Sequence, residues 1–289
     1  MCVIKRRRTH LRCFHSECKF CLGSVQTRGA RRQDAVCIHT CEQREREREA
    51  GALSVCVCVA RFTMMLSRSR FNPARCRGTD TTARIILASA SPRRRELLAL
   101  LLGGSDCFES VTSSFEETLP KASYTPTAYT VATALGKARD VASKTSSIGG
   151  DMCPRLVIGC DTVVELDGTI LEKPRDDDHA MEMLRSLRGK THHVHTGVAL
   201  IFSREGGDGD GDTDDTKTFS CTTSVRFSDE DNLDDDALAM YVASGDPKDK
   251  AGAYGIQTAA GAFVEGIEGC YYNVMGLPLN RLAVEMSTI

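Results

Sequence analysis

The sequence predicts an α/β fold built around a mixed sheet. Runs of β-branched and other apolar residues alternate along the chain with segments whose apolar residues recur at helical spacing. Two pairs of strands are expected to be antiparallel: those joined by Asp167–Gly168, a strong hairpin pair, and those on either side of the acidic loop 204–217. Strands that alternate with helices favour parallel pairing, so the sheet should contain both kinds of pair.

The first part of the chain differs from the rest in composition. Residues 1–80 hold 17 of the 37 Lys and Arg and 9 of the 14 Cys, but only 7 of the 39 Asp and Glu. Alternating Arg and Glu at 44–49, and alternating Cys and Val at 56–59, are what a simple two-base DNA repeat encodes. We therefore expect residues 1–82 to be a disordered extension, either a wrongly assigned start or a transit segment, and residues 83–289 to form the folded domain.

A second start is available at Met64 or Met65. The stretch from there to Arg84 is rich in Arg and Ser and has Asp80 as its one acidic residue, a composition typical of organellar transit peptides. The alternative is an extension without a targeting role, which leaves the protein in the cytoplasm. No run of about 18 apolar residues occurs, so we expect no membrane partner; nor do we expect a nucleic-acid partner.

Three groups of metal-ligating residues are better explained without a metal. The cysteines between 18 and 41 have zinc-like spacing, but few apolar residues surround them that could pack a zinc module. The acidic loop 204–217 lacks the Gly and Glu that a calcium loop needs at its sixth and twelfth positions, and we expect it to be a solvated hairpin tip. His193 and His195 lie in a β run without a paired carboxylate, and a partly exposed strand explains them.

The elements can be followed in order from the first strand–turn–helix unit. Ile85–Leu87 predicts the end of a buried strand, Ser91 an N-cap and Pro92 the first helical position. Apolar residues recur at helical spacing over 97–102. The cations Arg93–Arg95 oppose the helix dipole unless an anion binds there, so this unit is either a phosphate site or an ordinary junction with solvated arginines.

Further strands and helices are predicted along the rest of the chain. The expected strands are Cys107–Ser113, Arg155–Leu166, Thr169–Glu172, Val194–Phe202 and Thr218–Phe227. The expected helices are Tyr129–Ser143, Asp177–Leu187, Asp231–Ser244 and a terminal helix that begins at Pro278. Between the last two helices, a glycine-rich stretch predicts loops.

Several charged residues stand out against apolar surroundings or at strand ends. Asp161 lies inside an apolar run, where a carboxylate is costly to bury without a partner. Lys137 interrupts the apolar face of a helix, Lys173 ends a strand before a proline, and Asp249 and Lys250 are expected at a rim. Together with the arginines at the helix start, these residues indicate a site for a polyphosphate with Mg²⁺.

The cysteines after residue 80 are scattered and indicate reduced thiols rather than a disulfide framework. Cys160 has apolar neighbours and no activating histidine close in sequence. We expect it to be a small core residue rather than a nucleophile.

From Ile85 to about Glu285 the chain resembles the Maf family of nucleoside triphosphate pyrophosphatases. The matching segments appear in family order: LASASPRRRELL, EET at 116–118, GKA around Lys137, VIGCDTVVELDGTILEKP, LRGKTHHVHTGVAL, TTSVRF, DPKDKAGAYGIQ and NVMGLPL. The resemblance implies an inosine triphosphatase-like fold, with a strongly twisted mixed sheet flanked by helices in two lobes around a central cleft. It also implies a divalent metal cofactor, Mg²⁺ or Mn²⁺, and is compatible with a homodimer.

The resemblance implies roles for individual residues. Asp161 matches the proton acceptor for the attacking water and would bind the metal together with Glu117. The substrate-binding positions are Ser89, Arg93, Arg94, Lys137 and Lys173, and the positions associated with base choice are Arg93, Thr162 and Gln257. One departure lies beside this last group, since Thr258 stands where the family usually has Gly.

The activity that the resemblance implies is hydrolysis of a nucleoside triphosphate to the monophosphate and pyrophosphate. Arg93, Thr162 and Gln257 resemble the branch that acts on dTTP and UTP, since a buried polar site rejects a base whose groups it leaves unpaired. One alternative is a pyrophosphatase for 7-methyl-GTP or purine analogues. Another is a nucleotide-binding regulator of cell division with little turnover, although such a protein would not need a water-activating carboxylate.

Overall fold

A seven-stranded mixed sheet organises the part of the chain that the structure, a computed structural model, describes: residues 84–146, 155–203 and 215–289. The strands are β1 (Arg84–Ala88), β2 (Glu109–Ser110), β3 (Arg155–Leu166), β4 (Thr169–Leu171), β5 (Thr191–Ser203), β6 (Asp215–Phe227) and β7 (Val264–Glu268). The helices are α1 (Pro92–Leu102), α2 (Pro126–Ser146), α3 (Asp177–Leu187), α4 (Asp235–Ala243), α5 (Tyr271–Met275) and α6 (Leu279–Met286). The predicted extension 1–82 and the tip of the acidic loop lie outside the described residues.

The strand order is β2-β1-β3-β5-β6-β7, with β4 paired to the far end of β3. β1 is parallel to both β2 and β3. The pairs β3–β5, β5–β6 and β6–β7 are antiparallel. The α/β class with a mixed sheet is therefore confirmed. A short hairpin connects β3 to β4, and β5 and β6 form a long antiparallel pair. β1 reaches β3 through two helices, as a parallel crossover requires.

The first strand–turn–helix unit forms as predicted. The Ser91 hydroxyl accepts a hydrogen bond from the Arg94 backbone N–H, and Pro92 occupies the first helical position. Gly103, at a φ of 83°, ends α1 in the left-handed conformation that favours glycine. The buried leucines of α1 are the four predicted from helical spacing, and each contributes about 1.5–3 kcal/mol of burial.

The agreement elsewhere is closest in the regular elements. β3 and α3 have the predicted bounds. Asp167 and Gly168 have φ values of 51° and 81°, the left-handed pair that a tight hairpin turn needs. The expected strand Cys107–Ser113 is reduced to β2, because a 3-10 turn precedes it and the chain leaves the sheet edge after two paired residues.

The glycine-rich stretch contains two elements that apolar periodicity does not predict. Four of the five residues of β7 are exposed, so its sequence lacks the alternation of a half-buried strand. α5 has five residues, which is too short to show a helical repeat. None of the described helices is both long and apolar enough to cross a membrane.

The hydrophobic core divides into three clusters around the sheet. α2 packs on one face, over the odd-numbered positions of β3. On the other face, α1 and α6 cover one half of β3 and β5, and α3 and α4 cover the other half. Thr162 on β3 and its partner Thr196 on β5 lie where these two clusters separate. The same face of the sheet therefore carries two packed halves with a polar strip between them.

Candidate active site

A cleft of about 410 Å³ opens where one edge of β3 changes partner. β1 pairs with β3 as far as Gly159, opposite Ala88, and β4 pairs with β3 from Val164 onward. Between these two pairings, Asp161, Thr162 and Val163 line the cleft along this edge. Because neighbouring strand residues point to opposite faces, Asp161 and Thr162 line the same cleft from the two sides of the sheet.

Most of the predicted site residues meet in this cleft. Those that line it are Arg93, Arg94, Glu117, Lys137, Asp161, Thr162, Lys173 and Gln257. These positions lie up to 164 residues apart in the chain, so their convergence is a property of the fold. The predicted phosphate-binding unit is thus joined to the predicted carboxylates and lysines.

Ser89 is the predicted site residue that the cleft lining does not include. It is buried, with 7% of its surface exposed, and its hydroxyl accepts a hydrogen bond from the Ser91 backbone N–H at 3.2 Å. Its carbonyl accepts one from the Ser110 hydroxyl at 2.8 Å. Ser91, the N-cap of α1, lines the cleft instead. Ser89 thus stabilises the turn, and Ser91, two residues further on, faces the cleft.

Lys137 and Asp161 meet because two glycines bring helix and sheet backbones together. A Cβ atom at Gly159 would lie 2.2 Å from a backbone oxygen of α2, and one at Gly197 would lie 2.3 Å from a backbone carbon of the same helix. Gly197 is the β5 partner of Asp161. This close packing places the Lys137 Nζ 2.8 Å from the Asp161 Oδ1, with both side chains largely buried.

Glu117 approaches the same ammonium group from a loop. The Glu117 Oε1 lies 2.8 Å from the Lys137 Nζ, and half of its side chain is exposed. One ammonium therefore bridges two carboxylates, one on a central strand and one on the rim. The mutual repulsion of the two carboxylates is offset by the cation between them.

The loop that carries Glu117 is fixed to α2 at two points. The Asp140 Oδ2 accepts hydrogen bonds from the Ser113 hydroxyl and the Ser114 backbone N–H, each at 2.8 Å. The Phe115 ring packs where a Cβ at Gly136 would stand, 2.5 Å from its ring carbons. Glycine at this helical position therefore allows the aromatic ring to hold the loop against the helix.

Arg94 binds groups of the protein at the floor of the cleft. Its Nε donates to the Gly276 carbonyl at 2.9 Å, and its two terminal nitrogens donate to the Cys160 carbonyl at 2.9 Å and the Thr162 hydroxyl at 2.8 Å. Thr162 Oγ1 also lies 3.0 Å from Thr196 Oγ1. Three of the five guanidinium N–H groups are thus engaged within the protein. Arg94 joins α1, the edge of β3 and the end of α5.

Arg93 points across the cleft to the opposite half of the molecule. Its guanidinium donates to the Asp249 Oδ2 at 2.7 Å and to the Asp249 carbonyl at 3.2 Å. The Asp249 side chain is 56% exposed, so solvent screens this ion pair. Lys250, expected at a rim, is instead buried, with 7% of its surface exposed. Its ammonium group contacts oxygens of Asp246 and Asp249.

Lys173 and Gln257 complete the predicted set at the margins of the cleft. Lys173 is exposed. Its neighbour Glu172, which sequence reasoning did not select, pairs with Lys121 at 2.7 Å and accepts a hydrogen bond from the Tyr129 hydroxyl at 3.2 Å. Burial and this carboxylate raise the pKa of Tyr129 to about 12. Glu172 is therefore a further carboxylate that lines the cleft, next in sequence to Lys173.

Cys160 and the histidines of β5 are held in the protein by burial or by polar contacts with other side chains. Cys160 is fully buried, and burial raises the pKa of its thiol to about 11, as expected for a core residue. His192 lies 2.8 Å from the Tyr254 hydroxyl, while His193 pairs with Glu165 at 3.1 Å. Among the described residues, no group of three or more His, Cys, Asp or Glu side chains is arranged to hold a metal ion.

Glu117 and Asp161 nevertheless fit a divalent cation that arrives with a substrate. Mg²⁺ is commonly held by one or two carboxylates, with phosphate oxygens and water as its other ligands. The space between the two carboxylates already accommodates a positive charge, that of the Lys137 ammonium. Carboxylate oxygens are hard ligands, so this pair suits Mg²⁺ or Mn²⁺ better than a soft metal.

Comparisons with known proteins identify the family of the chain. The family model described as Maf-like protein matches residues 84–289. A dTTP/UTP pyrophosphatase of Clostridium novyi (strain NT) is 41% identical over 199 residues, which cover 69% of this chain and 94% of the relative. Proteins of the same name from Clostridium botulinum (strain Okra / Type B1) and Clostridium perfringens (strain 13 / Type A) are 45% and 44% identical, over 68% and 69% of this chain and 93% of each relative.

Proposed function

The chain belongs to the Maf-like protein family, and we propose that it hydrolyses dTTP and UTP to the nucleoside monophosphate and pyrophosphate. Relatives at 41–45% identity carry the name dTTP/UTP pyrophosphatase. The observation that supports this most directly is the contact of one ammonium, that of Lys137, with Asp161 and Glu117 in the cleft. A site that only bound a nucleotide would not need a carboxylate directed at the reacting phosphate.

The hydrolysis divides among a small number of residues. Asp161 accepts a proton from water, whose oxygen attacks the α-phosphorus; the bond from this phosphorus to the bridging oxygen breaks and pyrophosphate leaves. Lys137 holds the Asp161 carboxylate in place through its 2.8 Å contact and offsets negative charge on the phosphates. Glu117 and Asp161 would hold a divalent cation, Mg²⁺ or Mn²⁺, and that ion would supply charge neutralisation on the phosphates and a lowered pKa for water bound to it.

The triphosphate lies against the N-terminus of α1. Helix N-termini favour anions, and Ser91 lines the cleft there. Arg93 begins at the same helix start, but its guanidinium extends to Asp249, on the side of the cleft that we assign to the base. Lys173 supplies a further cation from the opposite rim. Arg94 acts chiefly by fixing the floor, since its guanidinium is already bonded to Thr162 and two backbone carbonyls.

The test is pyrophosphate release by the full chain from dTTP, UTP, GTP and 7-methyl-GTP, with Mg²⁺ or Mn²⁺. We expect turnover of dTTP and UTP above the others, and a loss of about 10³-fold or more in kcat for Asp161→Asn, since the asparagine cannot accept the proton. Asp167→Asn, in the exposed hairpin turn, is the matched control and should keep full activity.

Three outcomes would contradict the proposal. Preference for 7-methyl-GTP would assign the chain to the purine-directed alternative. Binding of nucleotides without turnover of any would favour a regulator of cell division. Full activity of Asp161→Asn would remove this carboxylate from the reaction.

A further inference from the structure

A partly buried polar network lies behind the side of the cleft that Gln257 lines. Its centre is Asp246, in a 3-10 turn, whose Oδ2 accepts hydrogen bonds from the Tyr241 hydroxyl and the Thr258 hydroxyl, each at 2.6 Å. Its Oδ1 lies 3.1 Å from the Nζ of Lys250. Tyr241 and Lys250 are 4% and 7% exposed. We call these four residues the Asp246 network.

One arm of the Asp246 network leads to Arg93. The Lys250 Nζ donates to the Asp249 Oδ1 at 2.7 Å, and the Asp249 Oδ2 accepts from the Arg93 guanidinium at 2.7 Å. Each oxygen of the Asp249 carboxylate therefore has its own cationic partner. These contacts fix the carboxylate that in turn orients Arg93.

The other arm leads to the turn that carries Gln257. The Thr258 backbone N–H donates to the Gly255 carbonyl at 3.0 Å, and the Gly255 N–H donates to the Tyr241 hydroxyl at 3.2 Å. A Cβ at Gly255 would lie 2.7 Å from Lys250 Cε, so glycine lets the turn approach the lysine stem. Both ends of the four-residue turn around Gln257 are thus tied to Asp246.

The charges in this network are mutually stabilised. Burial by itself would raise the pKa of Asp246, but the hydrogen bonds from Thr258, Tyr241 and Lys250 hold it below its ordinary value. Burial and the Asp246 carboxylate raise the pKa of Tyr241 well above its ordinary value. The network therefore keeps an ionised carboxylate and a neutral phenol, whose positions are fixed by short hydrogen bonds.

We infer that Tyr241 and Thr258 are positioning residues for base selection, because through Asp246 they hold Gln257 and Arg93 in a fixed mutual geometry. Neither hydroxyl-bearing side chain lines the cleft, so each acts through others. The Thr258 side chain donates to Asp246 a hydrogen bond that a residue without a hydroxyl cannot make. This inference rests on the proposed function and adds the means by which the cleft selects a base.

The test compares Thr258→Val and Tyr241→Phe, which keep side-chain size but remove one hydroxyl each, with the unmutated full chain. We expect the preference for dTTP over GTP, as the ratio of kcat/KM values, to fall about three- to tenfold in each variant, mainly through KM for dTTP. Thr258→Ser keeps the hydroxyl and should retain the dTTP-over-GTP preference of the unmutated chain. Because both hydroxyls bind the same oxygen, the double variant should lose less than the product of the single losses.

Matched controls remove a hydroxyl where no such network exists. Thr218→Val alters an exposed strand residue, and Tyr271→Phe alters an exposed tyrosine; both should keep the preference. Thermal unfolding of every variant separates a loss of stability from a loss of selectivity. Variants with lowered Tm but an unchanged dTTP-to-GTP ratio would overturn the inference.

A second readout does not depend on turnover. Kd values for dTTP and GTP, measured by calorimetry in the Asp161→Asn background, should show the same three- to tenfold loss of preference in the Thr258→Val and Tyr241→Phe proteins. If the unmutated chain binds dTTP selectively but releases no pyrophosphate, the proposed function fails, whereas the inference holds only if the two variants lose that binding preference. If binding shows no base preference to lose, the inference fails.

Discussion

At one end of the cleft, Lys137 and Asp161 belong to a helix and a strand whose backbones are in contact. At the other end, Arg93 and Gln257 depend on turns held by the Asp246 network. We call these the catalytic end and the base end. The catalytic end derives its geometry from regular secondary structure and close packing, and the base end from hydrogen bonds among residues that have no regular repeat.

The difference indicates how each end can change. At the catalytic end, close packing holds the backbone in place, because the backbone at Lys137 could move only if α2 left the sheet. The base end depends on a few polar contacts, so a single substitution at a residue such as Thr258 can alter it without disturbing the core. The proposed roles thereby separate reaction and selectivity within a single cleft.

The first substitution at the catalytic end removes the ammonium of Lys137, which contacts both carboxylates. For Lys137→Met, we expect kcat for dTTP to fall about 10²- to 10³-fold, because the phosphates lose a cation and two carboxylates are left facing each other. Pyrophosphate release measures this. Arg139→Met, which removes an exposed cation from the same helix, should keep its activity. A loss below tenfold for Lys137→Met would place the lysine outside the reaction.

A methyl group between helix and sheet tests whether close packing sets the geometry. Gly197→Ala would place a Cβ 2.3 Å from the backbone of α2, and we expect a loss of about 3 kcal/mol in the free energy of unfolding. Activity should fall as well, because the displaced helix moves Lys137 from Asp161. Urea unfolding and pyrophosphate release measure the two effects.

The control for this substitution is a glycine with free space around it. Gly266→Ala in β7 places a Cβ with no atom within 4 Å and should change stability little. Equal stability of the two variants would mean that the helix–sheet approach is not restrictive.

We expect the free energy of unfolding to decrease as the pH falls, because of one buried histidine. His192 is fully buried and lies 2.8 Å from the hydroxyl of Tyr254, which lines the cleft. Burial, with a smaller contribution from His193, lowers the pKa of His192 to about 3. Between that value and the ordinary 6.5, the unfolded chain binds a proton that the folded chain does not, so stability falls as the pH falls.

From pH 7 to pH 5 we expect this histidine to cost about 2 kcal/mol of stability. Urea unfolding of the unmutated chain and of His192→Gln at both pH values isolates its share, because the glutamine does not titrate. An unchanged pH dependence in His192→Gln would assign the acid sensitivity to other groups.

Much of the fold followed from local patterns. Apolar and β-branched runs predicted β3, the Asp167–Gly168 turn and α3 with their observed bounds. Ser91 and Pro92 predicted the start of α1. These elements were predictable because each one depends on residues adjacent in sequence. β7 and α5 were not, because an exposed edge strand and a five-residue helix leave no apolar repeat.

The sequence by itself determined which groups carry charge in unfavourable places: Asp161 in an apolar strand, Lys137 in an apolar helix face and the arginines at the start of α1. Only the tertiary structure decided how those charges pair. It buried Lys250, directed Arg94 to the protein and Arg93 to Asp249, and exposed Ser91 rather than Ser89 to the cleft. The cost of an unpaired charge can be read from its neighbours in sequence, whereas its partner comes from a distant segment that long-range packing brings within hydrogen-bond distance.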